Sequence, residues 1–120
     1  MKAKRHTVNT ALITGSYGGF GTCLAQIHAE NGGDLILVGR NQTKLDAQKK
    51  QLMDQYHIKA ETIAVDLSNA DAALEIYEIC KENNWEIDIL INNAGFGGRG
   101  EQNNHDEGVY SLDRKEYIGF

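Results

Sequence analysis

Proline is absent from the 120-residue sequence, and cysteine is scarce, with only Cys23 and Cys80. Because no proline-rich stretch marks a linker and this length is typical of one domain, a single folded domain is the simplest expectation. Neither cysteine stands near a second cysteine or a histidine at metal-ligand spacing, so no metal site is indicated. We expect both cysteines to be small side chains buried in the core.

The sequence also lacks an excess of positive charge and any long apolar run. Its 12 lysines and arginines and 17 aspartates and glutamates give a net charge of −5, which does not favour binding to nucleic acid. The apolar segments are too short for a membrane span or a signal peptide. We therefore expect a cytoplasmic protein with no nucleic-acid and no membrane partner.

Glycine is abundant, and its densest run lies between an apolar segment and a helical pattern. A glycine-rich turn from a strand into a helix is the context of a phosphate-binding loop, where the helix start attracts an anion. Gly15 would allow the sharp turn, and the missing Cβ atoms of Gly19 and Gly21 would allow close approach of a pyrophosphate and of the strand. The alternative is a structural turn that happens to be rich in glycine. The predicted loop consists of Gly15, Ser16, Tyr17, Gly18, Gly19, Phe20 and Gly21.

Apolar runs alternate with helical patterns along most of the chain, which predicts a parallel sheet with right-handed crossovers. The predicted strands are residues 8–14, 35–38, 62–65 and 87–91. The predicted helices are residues 19–31, residues 43–56 with Asn41 as the cap, and a third that starts at a Ser68 or Asn69 cap and ends near Asn83.

Apolar periodicity also predicts which side of two helices is buried. The expected inner face of the first helix is Phe20, Cys23, Leu24, Ile27 and His28. The expected inner face of the third helix is Ala70, Ala73, Leu74, Tyr77 and Cys80.

Two motifs in this order resemble the short-chain dehydrogenase/reductase family. The glycine loop has the spacing T-G-x-x-x-G-x-G from Thr14, and residues 87–95 resemble the family's fourth strand ending in N-N-A-G. The resemblance covers about residues 10–98. It implies an α/β fold of the Rossmann type, a three-layer sandwich around a truncated parallel sheet of strand order 3-2-1-4. We expect residues 1–98 to form this domain and residues 99–120 an irregular tail.

The resemblance implies a nicotinamide cofactor, and the end of the second strand favours NADP(H). An acidic residue there would bind a free ribose 2′-hydroxyl, but Gly39 and Arg40 follow this strand. A guanidinium suits a 2′-phosphate, because it is permanently charged and donates in a fork. In the family, an arginine at this place goes with NADP; the alternative is a solvated surface arginine.

The resemblance implies further cofactor contacts after the third and fourth strands. Asp66 would bond the adenine amino group and Leu67 would line the adenine slot, although Asp66 could also help to start the third helix. Asn92, Asn93, Ala94 and Gly95 would lie along the ribose and the middle of the cofactor. Asn92 could equally serve to hold adjacent strands together, since a buried amide needs partners in any case.

The catalytic residues of the family are a serine and a Y-x-x-x-K pair that lie well beyond N-N-A-G, and the tyrosine acts as general acid and base. Tyr110 is followed four places on by Arg114 and five places on by Lys115, so this spacing fails and no catalytic residue is assigned. We therefore expect an NADP(H)-binding chain that resembles an oxidoreductase of carbonyl and alcohol groups, but lacks the catalytic half and is inactive by itself. The alternatives are a stand-alone nucleotide-binding module or an interaction module without redox activity.

A sheet that stops at the fourth strand would leave that strand exposed along one side. Residues 87–91 are apolar, carry one charge and contain no proline, so nothing would protect this edge from pairing with another chain. We expect self-association as a dimer, through this edge or through the tail.

Overall fold

The computed structural model describes residues 9–93 and 116–119, and these residues alternate between strands and helices. The strands are β1 (Thr10–Thr14), β2 (Asp34–Gly39), β3 (Ala60–Ala64), β4 (Ile89–Asn92) and β5 (Glu116–Gly119). The helices of the described residues are α1 (Gly19–Glu30), α2 (Gln42–Tyr56) and α3 (Ala72–Glu82). The strands form one sheet in the order β3-β2-β1-β4-β5, and each neighbouring pair is parallel. The predicted parallel sheet of order 3-2-1-4 is confirmed.

The continuous apolar runs of the inner strands are explained by burial on both faces of the sheet. Along β2, Leu35 and Leu37 face α1 and α2, whereas Ile36 and Val38 face α3. The α3 layer includes Leu12, Ile63, Ile76, Cys80 and Leu90, and the opposite layer includes Ile13, Ala25, Ala29, Leu45 and Leu52. Two helices on one face and one on the other make the expected three layers.

The buried face of α1 differs from the prediction. The helix buries Gly21, Ala25 and Ala29, whereas Phe20 and Ile27 are 57% and 56% exposed. Small residues spaced by four let the helix backbone approach the strands closely, and larger side chains on that side would hold it away. Cys23 is exposed with the larger face, so the prediction that it belongs to the core is wrong.

The third helix begins later than the sequence predicts. The side chain of Asn69 accepts from the Asp71 N–H at 2.9 Å within the preceding turn, and α3 starts at Ala72. The buried face is consequently Ala72, Ile76 and Cys80, and Leu74 on the predicted face is 55% exposed. The burial of Cys80 is confirmed, and it raises the pKa of this thiol to about 11.

The fifth strand was not predicted. Its backbone pairs with β4 from Ile89↔Glu116 to Asn92↔Gly119, so β4 is covered on both sides and the prediction that it forms an edge is wrong. The tail is also not irregular throughout, because residues 116–119 join the sheet. The proposed boundary between residues 98 and 99 lies outside the described residues. No helix of the described part is long and apolar enough to cross a membrane.

Candidate functional site

The glycine loop leaves the carboxyl end of β1, at the centre of the sheet. Gly15 has a φ of 65°, a left-handed conformation that glycine adopts without steric cost. The N–H groups of Gly15 and Ser16 both donate to the Val38 carbonyl, at 2.9 and 3.2 Å. The predicted sharp turn is therefore present, and its first two residues are attached to the end of β2.

The loop leads directly into the first turn of α1, which no side chain caps. The cap position is Gly18, the first turn carries no acidic residue, and the first bond of the helix ladder is Thr22 N–H to the Gly18 carbonyl at 2.8 Å. The N–H groups before this bond lie outside the ladder, at the positive end of the helix dipole. Such a helix start can hold an anion such as a phosphate.

Two glycines at this helix start serve different purposes. A Cβ at Gly21 would overlap the Gly15 carbonyl oxygen, so this position must be glycine for the helix to lie against the loop. A Cβ at Gly19 would have no atom of the described residues within 4 Å, so this position borders open space in that part of the structure, through which a ligand can approach.

The two polar side chains of the loop are turned toward neighbouring elements. The hydroxyl of Ser16 is fully buried and donates to Oε1 of Gln48 at 2.8 Å. The Tyr17 ring lies against Gly39, where an added Cβ would come within 2.5 Å of it, and its hydroxyl accepts from the Asn41 N–H at 3.0 Å. The open side of the loop is therefore formed by backbone atoms, together with the exposed side chain of Phe20.

Arg40 and Asp66 lie at the ends of β2 and β3, next to each other on the same edge of the sheet. Arg40 is exposed, and the Asp66 carboxylate accepts from the Ser68 N–H and hydroxyl at 3.0 and 2.7 Å. These two hydrogen bonds are the main cause that lowers the pKa of Asp66, and the positive charge of Arg40 lowers it further. Asp66 thus organises the turn before α3 without capping that helix, and Leu67 is partly buried against the α3 layer.

Asn92 and Asn93 connect the end of β4 to the loop. Asn92 is 3% exposed and accepts from the Thr14 hydroxyl at 3.1 Å, which fits the alternative that it holds adjacent strands together. The Asn93 amide donates to the Gly15 carbonyl at 3.2 Å. Sequence reasoning missed this role of Asn93, although the N-N-A-G motif contains the residue. Ala94 and Gly95 lie outside the described residues.

The loop, Arg40, Asp66 and Asn92 therefore share the carboxyl edge of four strands. The chain connections run outward from β1 in both directions, so this is the topological switch point where open parallel sheets bind ligands. One anion could lie at the start of α1 and a second at Arg40. A cavity of about 440 Å³ lies at the opposite edge, beside Thr10, Asp34 and Trp85, and none of the predicted site residues lines it. Within residues 9–93 and 116–119, no group of three or more His, Cys, Asp or Glu side chains could hold a metal ion.

Comparison with known proteins gives matches along most of the chain. Residues 9–112 match the family model for short chain dehydrogenases. A very-long-chain 3-oxoacyl-CoA reductase of Caenorhabditis elegans is 37% identical over 94 residues, which cover 78% of this chain and 30% of that protein.

Two solved structures show the same fold. L-sorbose reductase from Gluconobacter frateurii, solved with NADPH and L-sorbose, is 28% identical with a TM-score of 0.68, covering 88% of this chain and 41% of that one. A short-chain dehydrogenase from Sphingobium yanoikuyae in complex with NADPH is 34% identical with a TM-score of 0.65, over 88% and 41% of the two chains. The chain spans 37% and 30% of the length of two of the curated relatives that it matches.

Proposed function

Because the chain belongs to the short-chain dehydrogenase/reductase family of oxidoreductases, we propose that it binds NADP(H) at the carboxyl edge of its sheet. The observation that carries this proposal is the uncapped start of α1, which follows a turn at Gly15 and borders open space at Gly19. The pyrophosphate would lie against this helix start, and its charge would interact with the helix dipole and the backbone N–H groups.

The preference for NADP(H) over NAD(H) is supported by the charge at the end of β2. Arg40 is exposed there, and the neighbouring acid, Asp66, is occupied by two hydrogen bonds from Ser68. A 2′-phosphate beside Arg40 would gain a charge-assisted pair, whereas the 2′-hydroxyl of NADH would not. L-sorbose reductase and the Sphingobium dehydrogenase were both solved with NADPH, which agrees with this choice.

The reaction that we propose for the complete catalytic unit is hydride transfer between NADP(H) and a carbonyl or alcohol group. The bound cofactor would supply or accept the hydride. The described residues would bind the pyrophosphate at α1 and the adenosine half between Arg40, Asp66 and Leu67. No Y-x-x-x-K pair follows the N-N-A-G motif, where the family carries its proton donor, and the one pair with this spacing, Tyr77 and Lys81, precedes that motif on α3. We therefore propose that the 120-residue chain by itself does not turn over.

Isothermal titration calorimetry with NADPH, NADH and ADP tests the binding proposal directly. We expect NADPH to bind best, and no binding by Gly19→Glu, because a carboxylate would then fill the open approach to the helix start. Gln51→Glu adds the same charge on the exposed side of α2 and serves as the control. If NADPH fails to bind the parent chain, the interaction-module alternative takes the place of this proposal.

A kinetic assay with NADPH and a panel of ketones and aldehydes tests the proposed lack of turnover. NADPH oxidation that persists through purification and disappears in Gly19→Glu would contradict it.

We also propose that the chain self-associates as a dimer. Since β5 covers β4, the edge that we propose for pairing is the outer side of β5, at one end of the described sheet, whose other end is β3. The exposed Phe20 and Ile27 of α1 provide additional apolar surface. Multi-angle light scattering at micromolar concentration measures the mass, and a stable monomer would contradict this proposal.

A further inference from the structure

One side of α2 lies against the phosphate-binding loop. Asn41, Lys44 and Gln48 are spaced i, i+3 and i+7, which places them along one side of the helix. The Asn41 N–H donates to the Tyr17 hydroxyl at 3.0 Å, and the Lys44 ammonium lies 5.5 Å from the centre of the Tyr17 ring. The first two turns of α2 therefore contact the loop at two consecutive residues, Tyr17 and, through Gln48, Ser16.

Gln48 contacts Ser16 through both ends of its amide. Its oxygen accepts from the Ser16 hydroxyl at 2.8 Å, and its nitrogen donates to the Ser16 carbonyl at 2.7 Å. If the Gln48 amide were removed, the Ser16 hydroxyl and carbonyl would each lose a hydrogen-bond partner. Bulk water would not replace it, because Ser16 is fully buried. The amide of Gln48 matches the two polar groups of Ser16 as one donor and one acceptor.

The contact between Gln48 and Ser16 also orients the peptide group between Ser16 and Tyr17, which belongs to the phosphate-binding loop. The Ser16 N–H is bound to the Val38 carbonyl at 3.2 Å, so the N–H, hydroxyl and carbonyl of Ser16 are all held by neighbouring elements. Because the Ser16 carbonyl belongs to the same peptide plane as the Tyr17 N–H, its bond to Gln48 also fixes the orientation of that N–H. The chain then continues to Gly18, the cap of α1.

We infer that Gln48 is a positioning residue for the cofactor pyrophosphate. Its amide holds the loop in the binding conformation before the ligand arrives, which lowers the ordering cost of binding. This inference rests on the proposed binding of NADP(H). If the contact only stabilised the fold, its loss would lower the affinity for every ligand to the same extent, by lowering the folded fraction. If it positions the loop, its loss lowers the affinity only for a ligand that touches the loop.

The test compares Gln48→Met with Gln51→Met, since Gln51 lies on the same helix and is exposed. Calorimetry measures the binding of NADP⁺ and of adenosine 2′-monophosphate, which carries the 2′-phosphate but no pyrophosphate. We expect Gln48→Met, which removes both hydrogen bonds to Ser16, to weaken NADP⁺ about tenfold and to change adenosine 2′-monophosphate less than about twofold. Gln51→Met should leave both affinities at the parent values.

A second variant keeps the test decisive if Gln48→Met folds poorly. Ser16→Ala removes only the hydroxyl and retains the bond from Gln48 to the Ser16 carbonyl, so we expect a smaller loss of NADP⁺ affinity at a parent-like melting temperature. Equal NADP⁺ binding by the parent, Gln48→Met and Ser16→Ala would overturn the inference and leave the proposed function in place. Absence of NADP⁺ binding in the parent and in Gln51→Met would overturn the proposed function, and the inference with it.

Discussion

Replacement of Arg40 is the most direct perturbation of the proposed cofactor preference. Arg40→Gln removes the charge but keeps a polar side chain, and Arg40→Asp introduces the acid that would suit a ribose 2′-hydroxyl. Arg40 is exposed at the end of β2, so neither change should disturb the fold.

The magnitude follows from the exposure of this site. A hydrogen bond to a charged group contributes about 1.5–3 kcal/mol, and at an exposed position the lower end of that range applies. We therefore expect Arg40→Gln to lose about tenfold in NADPH affinity, because about 1.4 kcal/mol corresponds to a factor of ten. NADH affinity should change by less than about twofold, because this ligand has no 2′-phosphate. Arg40→Asp should then bind NADH better than NADPH.

The assay is calorimetric titration of both cofactors at two salt concentrations, with Lys59→Gln as the control. Lys59 is exposed beside the cavity at the opposite edge of the sheet, so the control removes one positive charge away from the site. The NADPH advantage of the parent should shrink at high salt, since exposed charges are screened. Equal affinity of the parent for the two cofactors, or an equal loss of both in Arg40→Gln, would refute the reasoning.

Three further predictions follow from the packing and the turns. Gly21→Ala should reduce the free energy of unfolding by about 2 kcal/mol or more in a urea titration, because its Cβ would overlap the Gly15 carbonyl; an unchanged midpoint would contradict the close approach. Cys23 should react with a thiol reagent in the folded chain at pH 7, whereas the buried Cys80, whose pKa is raised to about 11, should react only on unfolding; mass spectrometry of the labelled chain distinguishes the two. Ser68→Ala should lower the free energy of unfolding at pH 7. The difference in stability from the parent should vanish as the pH falls through the lowered pKa of Asp66, because only the ionised carboxylate accepts the Ser68 bonds so strongly. A difference in stability that persists in acid would assign the effect to another contact.

Local signals in the sequence are sufficient to predict the alternation of strands and helices and the place of the glycine loop. Apolar runs bounded by turn residues are local signals, and residues 35–38 became the centre of β2 because a strand covered on both faces needs no alternation. The cap of α2 at Asn41 was equally local, since its side chain accepts from Lys44 N–H three residues on. The order 3-2-1-4 was implied by the family resemblance that the two motifs carry, and the sheet has it.

Periodicity could not decide which helix faces are buried. On α1, the apolar pattern that begins at Phe20 is a strong signal, but the space between helix and sheet admits only Gly21, Ala25 and Ala29. Before α3, Ser68 bonds to Asp66 and Asp71 bonds to Asn69 in consecutive turns, so the helix starts at Ala72 and buries a different face. Both outcomes depend on distances between elements, which a pattern within one element does not contain.

The tertiary structure alone decided the contacts that shape the site. Gln48 reaches Ser16 across 32 positions, and Asn93 reaches Gly15 across 78. The strand at residues 116–119 likewise exists through its pairing with β4, since four residues carry too little periodicity to indicate a strand. Local composition predicts helices and strands because backbone preference and the periodicity of burial are expressed within a few neighbouring residues. The partners of a buried hydroxyl or an open strand edge are decided only when distant segments meet.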